Sequence, residues 1–136
     1  MGMNMMRHTL HTGTVLLAAG ALACCSGGST EPLVCTTGIA YGIRAVVRDS
    51  VTDRTIGSGS TLVAVGIGVR DSVSAPTNTP TLDSKVFALL PEKTGTYELN
   101  ITHAGYARWQ QTGIVVTKDA CHVISVDITA RLVQRS

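Results

Sequence analysis

The chain has few aromatic residues and few charges. Aromatic residues make up 4% of its 136 residues, and charged residues make up 15%. The formal net charge is +2, which argues against a dedicated nucleic-acid partner and against electrostatic attachment to a membrane surface. A core built from this composition must rely on aliphatic side chains.

Several motifs of catalysis and metal binding are also absent. There is no G-x-S-x-G nucleophile motif, no H-E-x-x-H zinc motif and no C-x-x-C pair. After residue 23 the histidines are His103, which ends a strand beside a turn, and His122, on the polar face of the last strand. We therefore predict no catalytic residue, no metal site and no cofactor.

The first 23 residues have the three parts of a secretory signal. Arg7 and two histidines come first, an apolar run over Thr14–Ala23 follows, and small residues lead into Cys24 and Cys25. The apolar run is too short to span a bilayer as a mature helix. The mature chain would have 113 residues, enough for one domain, with ten Lys or Arg and nine Asp or Glu.

A Cys at the end of such a segment resembles a bacterial lipoprotein signal, in which that Cys becomes the acylated first residue. Cys24 fits because Ala23 precedes it, and Cys25 is the alternative because Leu22 lies three places before it. The resemblance implies a bacterial cell-envelope protein held by several palmitate-type acyl chains, at the outer membrane in a Gram-negative cell. Residues 24–34 would form a flexible tether.

The clearest strand pattern lies at Gly95–Thr102. Tyr97, Leu99 and Ile101 alternate with polar residues, which is typical of a strand with one face in a core and the other in water. The last strand alternates in the same way, with an apolar face of Ile124, Val126, Ile128, Ala130 and Leu132.

Further alternation predicts an all-β domain. The first strand has an apolar face of Ile39, Tyr41, Ile43, Ala45 and Val47, and other strands cover Thr61–Val69, Lys85–Leu90 and Gly113–Thr117. In the strand predicted over Thr61–Val69, the bulky face consists of Val63, Val65, Ile67 and Val69. Gly57–Ser60 is a β-bulge or an added loop, and Arg70–Thr81 is a long, mobile surface loop. No window shows a sustained helical period, so we predict no helix in the mature domain.

The pattern G-x-Y-x-L-x-I-x-x-x-G-Y, from Gly95 to Tyr106, resembles the carboxypeptidase regulatory-like, or prealbumin-like, family of small β-sandwich modules. The resemblance implies a seven-stranded Greek-key sandwich over residues 35–134. The family is named for an accessory domain beside a peptidase, so it implies no active site. The chain departs from the family at Gly57–Ser60 and in the long loop after Val69.

Cys35 precedes the first strand and Cys121 precedes the last. Both follow the signal and would meet an oxidising compartment, so we predict a disulfide between them. The alternatives are free buried thiols and a metal site with His122, and the metal site is disfavoured by its spacing.

Tyr106, Arg108 and Trp109 surround one turn and form the candidate binding surface. An exposed Tyr–Trp pair could stack on a sugar or anchor a partner. In the alternative, Tyr106 caps the core beneath the turn, as in the resembled family, and Trp109 packs beside it. The segments Arg70–Thr81 and Tyr106–Thr112 are the expected contact surfaces.

Two functional hypotheses follow. The first is a non-enzymatic envelope lipoprotein whose sandwich contacts a protein or glycan. The second is a carrier or enzyme that binds a small molecule or carbohydrate in a pocket between the sheets or at one end. Pairing of edge strands into a homodimer is open under either hypothesis.

Overall fold

Seven β-strands form two sheets in residues 32–136, the part of the chain that the computed structural model describes. The strands are β1 (Tyr41–Asp49), β2 (Thr61–Gly66), β3 (Val69–Ser74), β4 (Phe87–Pro91), β5 (Gly95–Thr102), β6 (Trp109–Val116) and β7 (Val126–Leu132). Within these residues the helical content is one short 3-10 turn, Pro80–Leu82, and no helix is long and apolar enough to cross a bilayer. The predicted all-β class and the seven strands are confirmed.

The predicted signal peptide, residues 1–23, lies outside the described residues. The same holds for the lipidation site, Cys24 or Cys25, and for residues 24–31 of the tether. A compact unit runs from Val34 to Ser136.

The two sheets pack face to face around one core. The three-stranded sheet has the order β4-β1-β7, with β1 antiparallel to β4 and parallel to β7. The four-stranded sheet has the order β3-β2-β5-β6 and is antiparallel throughout. Each passage from β1 to β2, β3 to β4, β4 to β5 and β6 to β7 takes the chain from one sheet to the other.

The strands with the clearest alternation bury the predicted face. Tyr97, Leu99 and Ile101 on β5 are at most 3% exposed. Two strands of the other sheet, the central β1 and the edge strand β7, have equally apolar buried faces: Ile43, Ala45 and Val47 on β1, and Ile128, Ala130 and Leu132 on β7. The predicted faces extend too far at their starts, because Ile39 and Ile124 precede their strands and are 65% and 51% exposed.

The strand predicted over Thr61–Val69 is too long, since β2 ends at Gly66, and its buried face is the one with Ala64 and not the bulky face with Val63 and Val65. Leu62 and Ala64 are fully buried, whereas Ile67 is fully exposed in a tight turn between β2 and β3. The cause is the register with β5, in which Leu62 lies beside Ile101 and Ala64 beside Leu99. Partners in a sheet share a face, so the buried face of β5 forces these residues inward.

The prediction of a loop at Arg70–Thr81 is wrong for its first half. Residues 69–74 form β3, which pairs with β2 along its whole length. Val69 and Val73 pack against the core, and the Asp71 carboxylate accepts a hydrogen bond from the Leu90 amide at 2.6 Å. The Gly57–Ser60 segment is an added turn, closed by a hydrogen bond from the Ser60 amide to the Gly57 carbonyl.

Gly66 lies where Tyr97 crosses the backbone of β2. A Cβ at position 66 would lie 2.7 Å from two carbon atoms of the Tyr97 ring. The ring is nearly buried, and its hydroxyl donates to the Thr94 carbonyl at 2.9 Å. Burial raises the pKa of Tyr97. The glycine is therefore required by close approach, a common reason for glycine inside a strand.

The predicted disulfide is present and ties the segment before β1 to the loop before β7. Cys35 and Cys121 are bonded, with their Cα atoms 5.4 Å apart. Beside the bridge, His122 Nδ1 lies 2.8 Å from Glu92 Oε1, and its Nε2 lies 3.0 Å from the Thr36 hydroxyl. A disulfide is compatible with the predicted oxidising compartment.

Candidate functional site

A groove of about 650 Å³ lies on the outer face of the four-stranded sheet, facing away from the core. All four strands or their ends contribute to its lining. We call it the outer groove. It lies on the solvent side of the sandwich, so it is a surface for contact and not a chamber between the sheets.

The floor of the outer groove is apolar. Val63 and Val65 on β2 are half-buried and project outward, because Leu62 and Ala64 take the core positions. Ile67 lies at one end of this stripe and is fully exposed. Four threonines, Thr61, Thr96, Thr102 and Thr112, add hydroxyl groups around the floor. The groove thus offers both apolar area and hydrogen-bonding groups, the mixture found in binding sites.

A hydrogen-bonded network of side chains lies on β5 and at the start of β6. Asn100 Nδ2 donates to Glu98 Oε1 at 2.6 Å, and Arg108 Nε donates to Asn100 Oδ1 at 3.0 Å. Arg108 Nη2 donates to the same oxygen. The amide therefore turns its oxygen to the cation and its NH₂ group to the anion. Asn100 is only 7% exposed although it lies on the outer face, so the network fixes the position of the Arg108 guanidinium.

Arg70 places a second cation on the lining. It is exposed and lies on β3, directly across β2 from Glu98: Arg70 pairs with Val65, and Val65 pairs with Glu98. Within residues 32–136, no side-chain hydrogen bond or salt bridge engages its guanidinium. The lining thus holds two arginines and one glutamate, and the glutamate is already bonded to Asn100.

The structure divides the predicted surface of Tyr106, Arg108 and Trp109. Arg108 lines the outer groove, whereas Tyr106 and Trp109 are half-buried and pack against the core. Trp109 shares the inward face with its pairing partner Ile101. Of the two predicted arrangements, the one present is therefore that in which Tyr106 and Trp109 pack against the core and do not form an exposed pair. The two predicted contact segments still meet at the groove, since one supplies Arg70 and the other Arg108 and Thr112.

Tyr106 is held by a buried carboxylate. Its hydroxyl donates to Asp49 Oδ2 at 2.9 Å, and Gln134 Nε2 donates to the same oxygen at 3.0 Å. Asp49 Oδ1 accepts from the amides of Val51 and Thr52. The hydrogen bond from the Thr52 amide, together with that from Tyr106, lowers the pKa of Asp49 far below its ordinary range. Asp49, 3% exposed, is a structural junction between β1 and the turn before β6.

A second cavity, of about 370 Å³, lies among turns at one end of the four-stranded sheet. Its lining brings together Ser58, Asp83 and His103. His103 Nε2 lies 2.9 Å from the Ser58 carbonyl oxygen, while the Ser58 hydroxyl donates to the Pro76 carbonyl. The imidazole therefore does not contact the hydroxyl, and the three residues do not form the nucleophile–base pair that hydrolysis requires.

The surroundings of His122 raise its pKa. The hydrogen bond to Glu92 is the largest cause that raises the pKa of His122. Hydrogen bonds from the Ala40 amide and from His122 lower the pKa of Glu92. Within residues 32–136, no three side chains of His, Cys, Asp or Glu come together as a metal-binding group. His122 thus serves to hold the segment before β1.

No family model matches the chain, and no curated protein is significantly similar to it.

Sequence reasoning missed the outer groove, although β2 carries a usable signal. Its run Leu62-Val63-Ala64-Val65 is apolar on both faces, and only one face can join the core of a two-layer fold. A second apolar face on such a strand indicates either a covering element or a contact surface. In the described part of the chain, no element covers that face.

Proposed function

We propose that this protein is a non-enzymatic, lipid-anchored module of a bacterial cell envelope that binds a protein partner through the outer groove. The observation that carries the proposal is the groove itself, with its apolar floor of Val63 and Val65 beside the fixed guanidinium of Arg108. Large, partly apolar surface depressions with a few oriented polar groups are typical of recognition sites.

A protein fits this groove better than a glycan. Sugar rings commonly stack on exposed aromatic faces. Tyr97, the aromatic residue in the described lining, is 3% exposed, and Trp109 packs against the core. The floor instead consists of β-branched aliphatic side chains, which pack well against similar side chains of a protein segment.

The fold assignment belongs to the same proposal. We assign the sandwich to the prealbumin-like, carboxypeptidase regulatory-like group with Greek-key connections. The sheet orders β4-β1-β7 and β3-β2-β5-β6 support this assignment. So does the Gly105-Tyr106 turn, whose tyrosine packs against the core as in the resembled family. The anchor is supported by the signal-like N-terminal sequence and by the disulfide, which is compatible with an oxidising compartment.

Site-specific photo-crosslinking in cells tests the contact surface. A photoreactive benzoylphenylalanine at Val63 probes the groove, and the same residue at Thr129, exposed on the other sheet, is the control. We expect a discrete protein adduct from position 63 that is absent from position 129 and is lost when Arg108→Gln is added. Equal adducts at both positions, or none at position 63, would refute the contact surface.

Intact mass of the membrane-extracted protein tests the anchor. A chain that begins at Cys24 or Cys25 and is heavier by its acyl groups is expected, with Cys35 and Cys121 resistant to alkylation unless reduced. A full-length, unlipidated chain with alkylated cysteines would contradict both the anchor and the compartment.

A further inference from the structure

We infer that the outer groove binds an extended protein segment of about seven residues whose two ends carry acidic side chains. This inference rests on the proposed function and names the chemistry of the partner. It comes from the positions of the two arginines relative to the valine stripe.

The register of the four-stranded sheet fixes those positions. Arg70 lies on β3 beside Val65, while Arg108, just before β6, lies level with Thr102 and therefore with Thr61. The two arginines are thus separated by three strand spacings across the sheet and by four residues along it. With strands about 4.8 Å apart and a rise of about 3.4 Å per residue, their backbones are about 20 Å apart on a diagonal.

Val63 and Val65 lie between these two corners. An extended segment of about seven residues spans about 20 Å, presents every second side chain to one face and so turns its first and last side chains to the same face. Such a segment would place apolar side chains on the valines and a side chain near each arginine. The spacing therefore selects an extended chain, because a helix of seven residues covers only about 10 Å.

Charge selects acidic ends. Arg70 is unengaged within the described residues, and Arg108 has N–H groups left over after its two donations to Asn100. Guanidinium groups bind carboxylates through paired hydrogen bonds. Glu98 lies between the corners, in the same row as Arg70, so an acidic side chain at the middle of the segment would be repelled. The preferred pattern is acidic at both ends and neutral between them.

Selection from a random peptide library tests this inference. Peptides displayed on phage are selected on the detergent-solubilised full chain and counter-selected on its Arg70→Gln, Arg108→Gln double variant. We expect enriched peptides with two acidic residues about six positions apart and β-branched residues between them. Enrichment of peptides without this acidic pattern, or no enrichment, would overturn the inference.

Binding of one enriched peptide, followed by fluorescence anisotropy, then separates the charges. Arg70→Gln and Arg108→Gln are each expected to weaken binding at least about tenfold, the usual effect of losing a charge-assisted hydrogen bond. Glu98→Gln should strengthen binding, because it removes a repulsive charge and keeps an acceptor for Asn100. Arg131→Gln, on the other sheet where Arg131 pairs with Asp53, is the control and should change nothing. Equal effects of all four variants would overturn the inference.

The photo-crosslinking at Val63 and the peptide selection can fail separately. A groove-specific adduct at Val63 without acidic peptides would keep the contact surface and remove the acidic partner. Loss of the Val63 adduct would remove the contact surface itself.

Discussion

Removal of the Cys35–Cys121 disulfide should strongly destabilise the domain. The bridge joins residues 86 positions apart, so it encloses most of the sandwich. The chain-entropy relation gives about 4.6 kcal/mol for a loop of this length at 25 °C. Typical domains are stable by roughly 5–15 kcal/mol, so the contribution of the disulfide is a large share of the total. Because Cys35 is exposed and Cys121 is half-buried, replacement of both by Ser should cost little packing.

The assay is urea unfolding of the Cys35→Ser, Cys121→Ser variant in a background that carries Cys24→Ser and Cys25→Ser. With a slope of about 1.5 kcal/mol per molar urea, the expected loss lowers the midpoint by about 3 M. Chemically reduced protein with the two native cysteines is the matched control and should unfold at nearly the same midpoint as the variant. A fall of less than about 0.7 M, or about 1 kcal/mol, would refute the estimate.

Two further predictions concern the packing at Gly66 and the ion pair beside the disulfide. Gly66→Ala should lower the free energy of unfolding, measured in urea, by about 1–3 kcal/mol, because its Cβ would overlap the Tyr97 ring. Gly38→Ala is the control, because no atom lies near its added methyl group. An equal effect of the two substitutions would contradict the role of the ring. The His122–Glu92 pair should give a stability optimum on the acid side of neutrality. Because the pKa of His122 is raised in the folded state, its contribution to stability is complete below pH 6.5 and is lost as the pH rises through the folded-state pKa. Because the pKa of Glu92 is lowered in the folded state, its contribution to stability is complete above pH 4.5 and is lost as the pH falls through the folded-state pKa. In the wild-type chain, the urea midpoint should fall as the pH rises above 6.5, and this fall should be absent from the His122→Gln variant. An unchanged fall in the variant would exclude His122 as its cause.

The parts of the fold that follow from sequence are those with one apolar and one polar face. Tyr97, Leu99 and Ile101 alternate with polar residues, so a single burial pattern fits them. The same holds for Ile128 and Leu132. Local alternation suffices here because only one orientation of each strand keeps the polar side chains in water.

The face of β2 could not be read in this way. Leu62 and Ala64 alternate with Val63 and Val65, so hydrophobicity alone favours the bulkier valines as the core face. The register with β5 reverses that choice, and register is a long-range property that no local window contains. The outer groove was missed for the same reason, since nothing local shows that the bulky face with Val63 and Val65 is the one left outside the core.

The site residues show the same limit. Tyr106, Arg108 and Trp109 were grouped because they are close in sequence. Alternation along the start of β6 sends Arg108 outward and Trp109 inward, and Tyr106 turns to Asp49. Only Arg108 therefore remains on the groove, and its partner cation, Arg70, came from a segment that was expected to be a loop.

The parallel pairing of β1 with β7 constrains how this protein is made. β1 is the central strand of its sheet, and neither of its neighbours, β4 and β7, is close to it in sequence. During synthesis, the edge of β1 that faces β7 therefore stays without its partner until residues 126–132 emerge. Contacts this distant in sequence form slowly. A chain that ends before β7 would therefore expose this edge of β1 to proteases and to neighbouring chains.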